Sequence, residues 1–198
     1  MGLYEYLLLC QDLDCLAIPV INCGIVTEKV SDYEKEKENY KNGSVTEDEW
    51  QSYLDGISYR PETEEFNQYV QDILDLIEYA NGDESTAWGA KRVEDGHKDS
   101  FNLQYIAIGN SSYDELYWRN FDVIYNAIQE KHPEIKIITY IDNDTNSEKA
   151  EEIRLNANGL YNNLIVEENA CVKGGKLFNK VDNFDDYERS GVQIAVSS

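Results

Sequence analysis

Apolar positions along the chain recur at two spacings, and the alternation between them sets the expected architecture. Leu3–Leu13 is apolar at helical spacing. Cys15–Asn22 is a short apolar run ending in Asn22-Cys23-Gly24, the pattern of a buried parallel strand and its following turn. The Glu- and Lys-rich stretch Ser31–Gly43 reads as either a solvated helix or a mobile insertion. Thr46–Asp55 opens on a capping residue and carries Trp50, Tyr53 and Leu54 on one side. The plainest helix is Thr63–Ala80, where Phe66, Val70, Ile73, Leu74 and Ile77 form one stripe. Thr63 can cap its start, and Asn81-Gly82 supplies its stop. Leu103–Ile108 is a strand ending at Gly109-Asn110, and Tyr113–Lys131 is a helix stopped near His132-Pro133. A strand at Ile135–Ile141, a helix at Ser147–Asn156 and a strand at Leu160–Val166 follow. A short helix at Lys176–Asp182 and an apolar strand at Gln193–Ser197 complete the pattern.

Strands alternating with helices imply right-handed βαβ units and a parallel sheet. The pattern alone does not separate an open doubly wound sheet from part of a (β/α)8 barrel. Asn22-Cys23-Gly24 and Gly109-Asn110-Ser111 both lack the glycine spacing of a phosphate-binding loop, which lowers the nucleotide-binding reading. The 198 residues suit one domain and no second, with the charged segment near 31–60 as an insertion.

Charge narrows the partners. A formal net charge of −22 argues against nucleic acid and against anionic membrane surfaces, both of which require a Lys/Arg face. Neutral carbohydrate is compatible, although most of the 15 Tyr fit ordinary helix and strand faces. No run approaches the roughly 18 apolar residues of a membrane helix. There is no basic n-region or cleavage site of a signal peptide. Cys10, Cys15, Cys23 and Cys171 have no zinc or redox spacing, and two of them lie in apolar stretches as small buried hydrophobes. A reducing, cytoplasmic setting is the expectation. His97 and His132 have no sequence partner for a triad or a metal, so surface or capping roles are expected, with no metal and no cofactor.

One set of segments is specific enough to carry a resemblance. The order IEYANG, WGAKR, GH and FNLQYIAIGN runs from Ile77 to Asn110, and Tyr125–Ile138 continues it. This order resembles the glycoside hydrolase family 51 α-L-arabinofuranosidases. Weaker similarity extends upstream through Tyr6–Leu13 and Pro19–Gly24, and downstream to Phe184–Gly191 and the last strand. The resemblance implies an α/β fold: an incomplete (β/α)8 TIM-type barrel holding roughly strands three to seven. A barrel short of strands exposes sheet edges, so self-association or a partner chain is expected there.

The resemblance also implies the chemistry, and the chain departs from it. The family performs a retaining displacement with two carboxyls about 5–5.5 Å apart. One follows a Gly-Asn at the end of the fourth strand as acid/base; here that position is Ser111, after Gly109-Asn110. The nucleophile ends the seventh strand, where alignment places Ser198. A third family motif, Glu-His-Tyr, aligns with Glu168-Asn169-Ala170. A serine hydroxyl neither protonates a leaving group nor attacks as a carboxylate does, and loss of the acid–base step alone costs about 10²–10⁴-fold. Glu115, Glu167 and Glu168 are the carboxylates placed to substitute; the alternative is that Glu115 faces solvent and the other two are strand-end charges. Asn110, and with a weaker claim Asn22, would bind an arabinose-containing oligosaccharide; Asn110 equally suits a plain strand-end turn. Three readings follow: a catalytically silent relative, a carbohydrate-binding or scaffolding relative, and an active arabinofuranosidase with relocated carboxylates.

Overall fold

The computed structural model of the chain describes residues 2–26, 32–109, 114–141, 161–169 and 193–197. Within them, helices α1 (Leu3–Asp12), α2 (Tyr33–Lys41), α3 (Glu47–Ile57), α4 (Glu64–Asn81), α5 (Ala87–Glu94) and α6 (Asp114–Lys131) alternate with strands β1 (Val20–Asn22), β2 (Tyr105–Gly109), β3 (Lys136–Ile141), β4 (Leu164–Asn169) and β5 (Gln193–Ser197). The expected helices Ser147–Asn156 and Lys176–Asp182 lie outside the described residues.

Local chemistry explains the helix starts. Thr46 Oγ1 accepts from the Glu49 amide while the Glu49 carboxylate accepts from the Thr46 amide at 2.9 Å, a reciprocal capping box. Thr63 and Thr86 cap α4 and α5 through the amides of Phe66 and Gly89. The stripe Phe66, Val70, Ile73, Leu74 and Ile77 is buried as its spacing requires. In α6, Leu116, Phe121, Ile124 and Ile128 are fully buried against the sheet.

All five strands pair in parallel in the order β1-β2-β3-β4-β5. Strand order follows chain order without reversal, so every crossover advances in one direction. Alternate strand residues divide accordingly. Ile21, Ile106, Ile108, Ile137, Leu164 and Val166 join the main core with the helices. Ala107, Ile138 and Ile165 form a separate row on the opposite face, with Tyr105 packed beside it among the described residues. Among the described residues the helices therefore cover one face, as in a singly wound sheet. A doubly wound sheet carries them on both.

Two strands are shorter than the sequence pattern predicts because side chains of other elements engage their ends, the charged segment takes the helical of its two expected forms, and one helix is added. Strand β1 is three residues long rather than Cys15–Asn22. Pro19 has no amide to donate and contributes only its carbonyl, to Ala107 at 3.0 Å. The Ile18 amide instead donates to the Tyr6 hydroxyl at 2.8 Å. Strand β4 begins at Leu164, not Leu160, because Tyr161 packs edge-on against Tyr125 and Asn163 donates to Gln129 Oε1 at 2.9 Å. The charged segment is helical: α2 is mostly solvated but buries Tyr33, and α3 sends Trp50, Leu54 and Ile57 into the core. Trp50 lies stacked between Tyr40 and Tyr53. Helix α5 has no clear apolar stripe and shows only in the fold.

Candidate functional site

Parallel strands deliver their carboxyl ends to one edge of the sheet, where sites of such folds gather. Asn22 pairs in register with Gly109, the residue before Asn110. Tyr140 pairs with Glu167, and Glu167 with Ala195. Glu168 and Asn169 take the next positions, opposite Val196 and Ser197. Glu167 shares the strand face of Ile165, the one turned from the helices. Gly109 and β4 are two strand spacings apart, about 10 Å along the sheet. Asn110, Ser111 and Ser198 lie outside the described residues, as do the side chains of Glu115 and Glu168. Glu115 is the second residue of α6.

Asn22 is committed to its own loop. Its Oδ1 accepts from the Ile25 amide at 2.7 Å, and its Nδ2 donates to the Ile25 carbonyl at 2.9 Å. The Tyr69 hydroxyl donates to the Asn22 carbonyl at 2.6 Å. The amide that sequence reading offers to a sugar thus closes the turn after β1.

Behind this edge lies a buried polar frame. Asn120 Nδ2 donates to the Cys23 carbonyl at 2.9 Å and contacts Ser58 Oγ at 3.0 Å, joining the end of β1 to α6 and to the end of α3. The Tyr117 hydroxyl lies 2.8 Å from the Ile108 carbonyl and 2.6 Å from Thr139 Oγ1, bridging β2 and β3. Burial holds the Tyr117 phenol well above its ordinary range. Burial, then the charge of Asp122, pushes the Cys23 thiol up, and its Sγ donates to the Tyr117 carbonyl at 3.2 Å. Neither is a nucleophile near neutral pH. Cys10 is buried like Cys23, whereas Cys15 is exposed.

The histidines are elsewhere and structural. His97 Nδ1 donates to the Asp99 carbonyl at 2.7 Å, Gln11 Oε1 sits 3.0 Å from Nε2, and the ring stacks on Phe101. His132 Nδ1 lies 3.4 Å from Glu134. Among the described residues no three His, Cys, Asp or Glu side chains gather as metal ligands, and no helix is long and apolar enough to cross a membrane.

Known structures share this fold. A family 51 α-L-arabinofuranosidase from Bifidobacterium longum superposes with a TM-score of 0.54 at 15% identity, covering 94% of this chain and 31% of its own. An arabinose-bound α-L-arabinofuranosidase superposes at 0.53 and 20% identity, covering 70% and 20%. The class is an α/β fold with a parallel sheet like that of these enzymes.

The Alpha-L-arabinofuranosidase 1 domain matches residues 1–189, and the chain belongs to that family. The Alpha-L-arabinofuranosidase 1 of Arabidopsis thaliana is 41% identical over 93 residues, 46% of this chain and 14% of that protein. The Extracellular exo-alpha-L-arabinofuranosidase of Streptomyces chartreusis is 25% identical over 204 residues, 98% of this chain and 20% of that protein. The chain therefore spans a fifth or less of the length of these relatives.

The segments that carried the resemblance are mainly scaffold. Arg92 is 1% exposed and donates to the carbonyls of Tyr79 at 2.8 Å and of Ala80, His97 and Lys98 at 3.3 Å. It fastens the end of α4 to the loop leading into β2. Asn81 braces the same corner, accepting from the Leu103 amide at 2.7 Å and donating to its carbonyl at 2.8 Å. At Gly89 a Cβ would fall 2.0 Å from the Asp83 carbonyl oxygen, so the close approach of α5 requires glycine. Sequence reading found these residues as a motif but not as a clamp; Lys91, Glu94 and Asp95 surround Arg92 in the chain, so no local pattern marks it for burial.

Proposed function

We propose that this chain is a catalytically silent relative of the α-L-arabinofuranosidases, corresponding to an arc of their (β/α)8 barrel. The observation that carries the reading is Gly109-Asn110-Ser111 at the carboxyl end of β2, where the resemblance calls for the acid/base glutamate. Ser198 directly after β5, where it calls for the nucleophile, supports it. Unreversed strand order and one-sided helix packing support the barrel arc over a doubly wound sheet. The scaffold motifs survive while the acid/base position is Ser, which fits retention of fold without chemistry.

Replacement carboxylates are poorly arranged. Consecutive residues of a strand fall on opposite faces, so β4 offers only one of Glu167 and Glu168 to a given cleft, and a retaining displacement requires two. By its match to the family motif, Asn110 is the retained residue that would meet arabinose-containing ligands, while Asn22 serves the turn.

The test is hydrolysis of an aryl α-L-arabinofuranoside, with mass-spectrometric search for a covalent glycosyl adduct. No turnover above buffer and no adduct are expected, and S111E alone is expected to restore neither, since the nucleophile is still missing. Turnover by the unchanged chain that disappears in E167Q or E168Q would overturn the reading and establish relocated carboxylates.

A further inference from the structure

A groove of about 370 Å³ lies among α1, α4 and α5, on the helical side of the sheet rather than at its strand ends. That volume is at the lower end for small-molecule sites, roughly 300–1,000 Å³. Its wall includes Trp88, the one tryptophan of three that is open to solvent: it is 41% exposed, whereas Trp50 and Trp118 are buried. Tyr4 and Tyr79 extend the aromatic lining.

The polar groups around this lining are held in place. Asp72 Oδ1 accepts from Gln68 at 2.9 Å and Asp75 Oδ1 accepts from Gln71 at 2.7 Å, each pair four residues apart on α4. Both carboxylates line the groove, each fixed through one oxygen with its other oxygen unused in those bonds. On α5 Lys91 donates to Glu94 and Asp95 at 3.0 Å, which uses two of its three hydrogens. Asp95 also accepts from the Tyr79 hydroxyl at 3.0 Å, so it serves the wall and not a guest.

Acceptors on α4, with an aromatic side chain and a donor on α5, complement a polyol. A pyranose or furanose offers hydroxyl hydrogens to Asp72 and Asp75, an oxygen to Lys91 and a C–H face to the indole. An organic cation would use only the acceptors, and Lys91 would stand beside it. An anionic sugar is opposed by the carboxylates.

We infer that this groove binds neutral oligosaccharide, its pentose character resting on the arabinofuranosidase relationship of the proposed function, with Trp88 as stacking platform, Asp72 and Asp75 as hydroxyl acceptors and Lys91 as donor. The site is separate from the strand-end cleft, so binding here holds whether or not the chain hydrolyses anything. It would keep the chain on a polysaccharide independently of the cleft.

The test titrates arabinotriose and xylotriose into the full chain, following acrylamide quenching of tryptophan fluorescence and saturation-transfer NMR. Because the other two indoles are buried, quenching reports mainly on Trp88. Saturable protection by either sugar is expected. W88A should abolish it, W88F should keep part of it, and D72N/D75N should weaken it about tenfold or more. Circular dichroism confirms that each variant is folded; if W88A is not, the aspartate variant and W88F decide. Absence of binding by both sugars, binding unchanged in D72N/D75N or in folded W88A, or displacement by tetramethylammonium would each overturn the inference.

Discussion

Arg92 is the side chain whose loss the structure translates most directly into a measurement. In Arg92→Met the aliphatic stem stays in its buried slot and only the guanidinium is lost. Four carbonyls lose a donor, but not equally. The Ala80 carbonyl still accepts from the Phe101 amide at 2.9 Å, and the His97 and Lys98 carbonyls belong to a partly exposed loop where water can replace the arginine. The Tyr79 carbonyl, in the last turn of α4, depends on Arg92 at 2.8 Å. Leaving one buried carbonyl unmet costs about 1–3 kcal/mol. Loss of a cation at a helix carboxyl end adds up to about 2 kcal/mol. Relief of the buried charge offsets part of this. The net loss is about 2–4 kcal/mol, a fall in Tm of about 4–16 °C for a chain of this size. Thermal melts followed by circular dichroism, in dilute samples checked by light scattering, measure it. Arg92→Lys should recover less than half, because one ammonium cannot span both the helix end and the loop. A melt of the Met variant within about 1 °C of the parent, or a Lys variant equal to it, would refute the clamp.

Gly89→Ala should destabilise by about 1–3 kcal/mol in urea titrations, against the gain of up to about 1 kcal/mol that alanine usually brings to a helix, because its Cβ meets the backbone at Asp83. Alkaline pH should unfold the chain: burial pushes Tyr69 and Tyr79 up to about 12 and holds Tyr117 higher, so the phenols' protonated forms are favoured in the fold. Raised folded values contribute stability present below the ordinary phenol range and lost as pH rises from about 10 toward 12. Urea midpoints measured from pH 8 to 11.5 should fall above pH 10, less steeply in Y117F. Leu16 and Val20 are 58% and 71% exposed at and before β1, which ends the sheet among the described residues, so sedimentation velocity should show concentration-dependent self-association that V20K reduces. A monomer at all concentrations would contradict this.

Much of the fold was legible because its signals are local. The stripe of α4, the caps at Thr46 and Thr63 and the apolar runs of β2 and β3 each lie within a few residues, and the structure keeps them with boundaries moved by a residue or two. The glycine turn and the chain order of Gly109-Asn110-Ser111 also stand in the sequence itself. Tertiary structure decided what depends on partners far along the chain. Val20–Asn22 is short because Tyr6 takes the Ile18 amide from twelve residues away. Asn22 carries a weaker claim as a sugar ligand in the sequence, and its bonds to Ile25 commit it to the turn. Asn120 reaches Cys23 across 97 positions, a pairing no periodicity encodes. The groove beside Trp88 exists only because α1, α4 and α5 meet, and the lone faces of Ala107, Ile138 and Ile165 become one row only when the strands pair in register. Hydrophobic spacing specifies which face of an element turns inward; which groups then satisfy one another is chosen by packing, since each donor has several acceptors within reach and only the assembled fold selects among them.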